Sequence, residues 1–407
     1  MKRIILSVFA AAVTAAWAIP ASAGDVTFSG QYRLRGEYID NTDFNEDLQD
    51  TTDFWTQRVR LTANAKATDD VSAKITLQDT RTWGSAGTAG LLSDSGNTLD
   101  FHEAYLNVTD IFGAPVSLRV GRQELAYGDE RLIGSFGWSN QGRAFDGAKL
   151  MYSNDAVNVD AFTATITEDT GATNDDTYFN GVYATLKQII PNNTLDVYLL
   201  HLTSGTSDAD TTYTLGARLK GAVAGVDYTV ELPYQFGDDS TGVDISAWAL
   251  AVKAGYTLPT PMKIRVGAEY DLATGQDPDE TDVTVFNNLF PTNHAHFGIA
   301  DVTGANQWSN IQAWSVNASV DLNEKTRLYV AYWDFSQDEI AAIAGSSFDP
   351  VGNNSDELGS EIDLIATYKY NNNLNIEAGA ARFFAGDAAG TDPDDRDWAY
   401  LQITANF

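Results

Sequence analysis

Arg33 and Arg35 in QYRLRGEY and Arg58 and Arg60 in QRVRLT stand two residues apart, and Lys74 follows in VSAKIT. In an extended chain that spacing places each set of charges on one face. A guanidinium offers a planar fork that matches a carboxylate bidentately, so a row of them makes a non-covalent track for organic acids or polyanions. Lys66, Arg119, Arg218, Lys220, Lys253, Lys263, Arg265, Arg327 and Lys369 are assigned to the same inner face. The competing use of such residues is a ladder of internal ion pairs, for which Glu37, Glu103, Asp227, Glu231, Glu269 and Asp363 supply acids on that face.

A second concentration of chemistry is GRQELAYGDERLIGSFGWSNQGRAFDG, residues 121–147. Arg122, Arg131 and Arg143 face Glu124, Asp129, Glu130 and Asp146 in composition, with Leu132, Ile133, Phe136, Trp138 and Phe145 scattered between them. The stretch is too polar for a membrane strand and too apolar for a solvated linker. It reads as a loop folded inside a larger structure, its aromatics on the wall and its charges around a channel. Strict alternation past Gly121 would turn Arg122 to the outer face, so a bulge is expected there to carry it inward. On that reading Arg122 and Arg131 line the narrowest ring.

The elements that would hold these residues are strands. RVRLTANAKA sets Val59, Leu61, Ala63 and Ala65 against Arg58, Arg60, Thr62, Asn64 and Lys66, and VSAKITLQ repeats the pattern. Period-two alternation means one apolar and one polar face. Strands are predicted over 25–39, 53–66, 71–82, 100–109, 115–124, 143–153, 157–167, 177–188, 194–203, 211–220, 225–236 and 244–257. Six more follow over 262–272, 308–321, 326–337, 358–370, 373–384 and 396–407. Between them, short connections such as TDD (68–70), NDA (154–156) and NNN (371–373) alternate with long Asp-, Gly- and Ser-rich ones such as 83–99, 125–142 and 273–307. Short turns at one end and long loops at the other describe an antiparallel transmembrane β-barrel of about eighteen strands, all-β, with an even count that returns both termini to the periplasm. A barrel of that size encloses water unless something fills it.

The chain opens MKRIILSVFAAAVTAAWAIPASAG. Lys2 and Arg3, an apolar run to Ile19 and Ala21-Ser22-Ala23 read as a signal peptide over 1–23, leaving 24–407 as a single barrel domain. The remainder would carry 23 basic and 56 acidic residues, about −33 in charge, which argues against nucleic acid as a partner. There is no cysteine, so hydrogen bonding and packing must hold the exported chain together. No later stretch reaches the ~18 apolar residues of a spanning helix. The final strand, WAYLQITANF, ends on Phe407, a terminal aromatic of the kind that barrel-insertion machinery reads. The four histidines offer only His294-Ala295-His296 as a chelate, no serine stands out beside His102 or His201, and neither a metal, a cofactor nor catalysis is expected. Acidic clusters such as 237–244 and 391–397 read as solvated loop tips.

GRQELAYGDERLIG…W.N.GRAFDG, preceded by EAYLNV (103–108), resembles the signature of the alginate-export family of outer-membrane porins, and LFPTNHAHFGIADVTGANQWSN (289–310) is similar to that family's later loop. The resemblance implies an eighteen-stranded barrel in a Gram-negative outer membrane with an Arg-lined constriction, and it picks out Arg122, Asp129, Arg131, Arg143 and Asp146. Every periplasmic turn here is short, which leaves no candidate for a long periplasmic plug. The expected function is passive passage of anionic, carboxylate-bearing solutes, with outer-membrane lipid and lipopolysaccharide around the wall. The alternatives are a general diffusion porin and, less favoured, a barrel enzyme of the phospholipase type. Expected pore-lining residues are Arg33, Arg35, Arg58, Arg60, Lys74, Glu103, Arg119, Arg122, Asp129, Arg131, Arg143 and Asp146.

Overall fold

The computed structural model describes residues 25–47, 50–84, 99–168, 176–187, 189, 191–204, 210–292, 294–303, 308–343 and 347–407. The expected signal peptide lies outside them. Eighteen strands form one antiparallel sheet closed on itself. They are β1 (Val26–Asp40), β2 (Thr52–Lys66), β3 (Val71–Thr82), β4 (Leu99–Val108), β5 (Val116–Gln123), β6 (Phe145–Ser153), β7 (Val157–Thr167), β8 (Thr177–Leu186) and β9 (Asn193–Ser204). The second half holds β10 (Thr211–Val223), β11 (Val226–Asp238), β12 (Asp244–Thr257), β13 (Arg265–Ala273), β14 (Ile311–Asp321), β15 (Thr326–Ser336), β16 (Glu357–Lys369), β17 (Leu374–Ala385) and β18 (Arg396–Asn406). Each pairs with its sequence neighbour, and β1 closes on β18 from Gln31↔Asn406 to Asp40↔Asp397. Closure leaves no strand edge, the condition for a sheet to cross a membrane with its backbone satisfied.

The two faces follow the sequence parity. Along β10 and β11, Thr214 and Gln235 are fully buried inside while Leu215 and Leu232 are each 51% exposed outside. Outward aromatics gather near the strand ends, where Trp55 stacks on Trp83 with ring centres 6.0 Å apart. Such aromatics mark the membrane interfaces. At the seam Phe407 N–H donates to Gly30 O at 3.0 Å and Gly30 N–H to Phe407 O at 2.6 Å. The Phe407 ring occupies the space that a side chain at Gly30 would need.

The predicted strands agree with the observed ones to within a few residues at each end. The long connections differ among themselves. Residues 124–144 and much of 274–310 turn into the lumen and build a core there from Leu125, Leu132, Ile133, Phe286, Phe297 and Trp308, all buried.

Candidate functional site

Two inturned loops meet inside the barrel. Gly134 N–H donates to Phe290 O at 2.8 Å, Phe290 N–H to Leu132 O at 2.9 Å and Thr292 N–H to Glu130 O at 2.8 Å. The first two bonds make an isolated parallel bridge between Ile133 and Phe290, and the third ties Thr292 to Glu130. Arg143 Nη1 donates to Pro291 O at 2.5 Å and its guanidinium lies 4.7 Å from the Phe136 ring centre, so this arginine ties one loop to the other. On the far side Ile299 and Ala300 N–H donate to Glu361 Oε1 at 2.7 and 2.9 Å, fixing the second loop to β16.

The arginines of β1 and β2 fasten the first loop to the opposite wall. Arg33 donates to Gly137 O and Ser139 O, both at 2.9 Å, and Arg58 to the same two carbonyls at 3.2 and 3.0 Å and to Gln31 Oε1 at 2.9 Å. Arg35 donates to Trp138 O at 2.8 Å, pairs with Glu37 at 2.8 Å, and stacks 3.8 Å from the Trp138 ring centre. Trp138 in turn stacks on His294 at 3.6 Å. Arg60 reaches Glu124 at 3.4 Å, and His102 also meets Glu124, at 2.6 Å. Deeper toward the periplasm Lys74 pairs with Glu103 at 2.5 Å, and Arg119 lies over the Tyr105 ring at 4.3 Å.

Among the described residues, neither Arg33 nor Arg58 has a carboxylate within ion-pair distance. Both line a cavity of about 530 Å³ together with Gln31, Asp129, Trp138 and His294. Backbone carbonyls hold the guanidiniums in place without neutralising them. Acids that share the cavity are already committed. Glu130 Oε2 accepts the Ser135 N–H at 2.8 Å and its hydroxyl at 3.1 Å. Asp129 is gripped by Arg218 and by Lys253 at 3.1 Å. Burial pushes the Asp129 carboxyl up, but Lys253 and Arg218 more than reverse this and hold it well below the usual carboxylate range. His296 Nε2–H donates to the Asp129 backbone carbonyl at 2.9 Å. Burial, with Arg131 and Lys253 nearby, keeps its imidazole well below its ordinary value and neutral.

The structure redistributes several expected pore residues. Arg122 and Asp146 do not face the lumen. They pair at 2.9 Å on the outer wall, because the β4–β5–β6 ladder runs in register through Gly121 and places Arg122 beside Ala104 and Asp146. The expected inward bulge is absent. Gly121, at φ +125°, lies so close to Ala104 O that a Cβ would collide with it, so its role is backbone approach. Arg131 is inside the barrel but 3% exposed, bonded to Glu269 and Asp271 and set between the Phe297 and Trp308 rings. It anchors the loop to β13 and does not line the cavity that holds Arg33 and Arg58. Lys263 falls in a periplasmic turn, ahead of β13. The two histidines of the H-x-H go separate ways, His294 Nδ1 to Asp301 at 3.0 Å and His296 to Asp129 O. Gln31 and Glu361, which accept through their side chains, were not singled out in the sequence, and the carbonyls of Gly137 and Ser139 were not legible, since no side-chain pattern announces a backbone acceptor.

A closed eighteen-stranded barrel with inturned loops and a charged lumen is an outer-membrane barrel of the porin type. Residues 25–399 match the alginate export family, and the chain belongs to it. No curated protein sequence matches the chain. Among solved structures, Pseudomonas aeruginosa OccK9 (OpdG) is similar with a TM-score of 0.66 at 13% identity, over 94% of this chain and 98% of that one. OccK11 (OpdR) of the same organism gives 0.62 at 15%, over 94% and 96%. The P. aeruginosa outer membrane protein OprD gives 0.63 at 14%, over 95% of each chain. At these identities the likeness shows the shared fold.

Proposed function

We propose that the chain is a passive channel preferring anionic, carboxylate-bearing solutes, from small organic acids to uronate oligosaccharides. The observation that carries this is the pair Arg33 and Arg58, held against the 530 Å³ cavity with carbonyl and amide partners only. Within a low-dielectric wall two uncompensated guanidiniums focus a positive potential on the path. A fork spared from carboxylate pairing inside the protein can offer its charge to a carboxylate in transit. Residues 1–23 act as the export signal on this reading, and the exposed Phe407 at the seam is what the insertion machinery recognises. No catalytic role is proposed.

The second reading is general diffusion without ionic preference, favoured by the many paired charges on β10 to β13. Reversal potentials across planar bilayers under a salt gradient separate the two. Anion preference that is reduced by uronate oligomers supports the proposal, and a zero or cation-selective potential sinks it.

A further inference from the structure

The outer wall is not uniformly apolar. On β14, β15 and β16 the outward positions midway along the strands are Val316, Val330 and Leu364, between 44% and 53% exposed. On β5 to β9 the outward upper half holds Arg122, Asp146, Thr163, Thr165, Asn180 and His201. The wall is also low here, since β5 has eight residues and β6 nine. Arg122 is the seventh residue of β5. That is roughly 20 Å along the strand at about 3.3 Å per residue. With a tilt of about 40° this becomes roughly 15 Å of height, near the middle of an apolar band about 25 Å tall.

A lone charge at that depth is disfavoured, and the pair is only half satisfied. Arg122 Nη1 meets Asp146 Oδ2 at 2.9 Å, yet the two side chains remain 40% and 61% exposed on the face that lipid would cover. Small neighbours flank them. Ala104 and Ala148 point outward beside and below the pair, and a surface could approach the strands closely there.

We propose that this sector is the contact face for a second copy of the chain. The argument is charge complementarity under the symmetry that a membrane allows. Two copies inserted the same way round can be related by a two-fold axis only along the membrane normal, which preserves depth. Arg122 and Asp146 are register partners on adjacent strands. An axis along the normal that passes beside the Arg122–Asp146 pair therefore sets each Arg122 opposite Asp146 of the second copy, and the two half-satisfied pairs become one closed ring of four alternating charges. Thr163, Thr165 and the Asn180–His201 pair, bonded at 3.2 Å, extend the polar contact to one side.

The chain has no cysteine, so single-cysteine crosslinking in isolated outer membranes is clean. Ala148→Cys, beside the seam, should give a covalent dimer on oxidation, and Leu364→Cys on the apolar side should not. Placed in the Ala148→Cys background, Arg122→Asp alone or Asp146→Arg alone sets like charges face to face and should cut dimer yield at least about ten-fold. Co-expressing those two variants should restore it, because complementarity then exists across the contact and within neither copy. Absence of an Ala148→Cys dimer, equal dimer from Leu364→Cys, or no recovery on co-expression overturns the proposal. Such results would leave the sector to a lipopolysaccharide phosphate on Arg122 or to a different protein. Heat-modifiable mobility on gels reports folding. If a charge variant fails to insert, the neutral double variant R122Q/D146N reads the same contact, and an undiminished dimer yield there also overturns it.

Discussion

On the wall built by β1 and β2, the guanidiniums of Arg33 and Arg58 end on backbone carbonyls; on the wall built by β10 to β13, Arg218, Arg131 and Arg265 end on carboxylates. Both sets hold an inturned loop or a neighbouring strand inside the barrel. They differ in what remains after the bonding is done. A carbonyl fixes an arginine and leaves its charge outstanding, whereas a carboxylate fixes it and cancels the charge. On the proposed function, the same residue type would serve permeation on one side and cohesion on the other. Position on the inner face does not decide between them; the acceptor does.

The largest break in this comparison is expected at Arg131. Replacing it with alanine strands Glu269 and Asp271 as unpaired buried carboxylates, which costs about 3–5 kcal/mol. Thermal unfolding in detergent, followed by the gel-mobility shift, should show a markedly lower midpoint. A midpoint unchanged from the parent would mean that the paired wall is not what holds the loop. Next is Arg218→Ala, which leaves Asp129 with Lys253 as its main cation and returns part of a negative charge to the cavity. Anion preference should fall together with a destabilisation of about 2–3 kcal/mol.

The double variant Arg33→Ala, Arg58→Ala tests the other wall. Anion-to-cation permeability should drop about three- to ten-fold, roughly 1 kcal/mol of electrostatic bias, with conductance preserved or raised as bulk is lost. The strand ladders on either side are intact, so the unfolding midpoint should move far less than in Arg131→Ala. If stability falls and selectivity stays, the carbonyl-bound arginines are clamps alone. The smallest effect concerns pH. The Asp129 carboxyl is depressed in the folded chain, so its contribution is complete above the ordinary carboxylate value of about 3.9 and is lost only as pH falls through the lower folded value. Selectivity at pH 7 and at about pH 4.5 should therefore agree. A drift across that interval would assign the lumen charge to another group.

Much of the architecture was legible because it is local. Alternation in RVRLTANAKA and the rhythm of short and long connections fix strand, face and end without reference to anything distant. The inward positions of Arg33, Arg35, Arg58 and Arg60 come from parity alone. Arg131 shows where such reading stops, since its partner Glu269 is 138 positions away and on a different wall. Arg122 fails for another reason. Its charge suggested the lumen, but a ladder holds its parity through an irregular glycine more firmly than a charge can redirect it. Gly137 and Ser139 are beyond any such reading, because what they contribute is a carbonyl.

The main-chain bonds between residues 130–134 and 290–292 have a bearing on how the opening would behave as a sieve. Two independent flaps would fluctuate separately and pass an occasional oversized particle at the cost of a graded cut-off. Stitched by three main-chain bonds and braced by Arg143, they form one diaphragm whose aperture changes only if all of them yield together. On the proposed function, such an opening would discriminate by cross-section and be indifferent to length. A slender polymer would enter end-on and thread, while a compact molecule of far smaller mass but greater girth would be turned away.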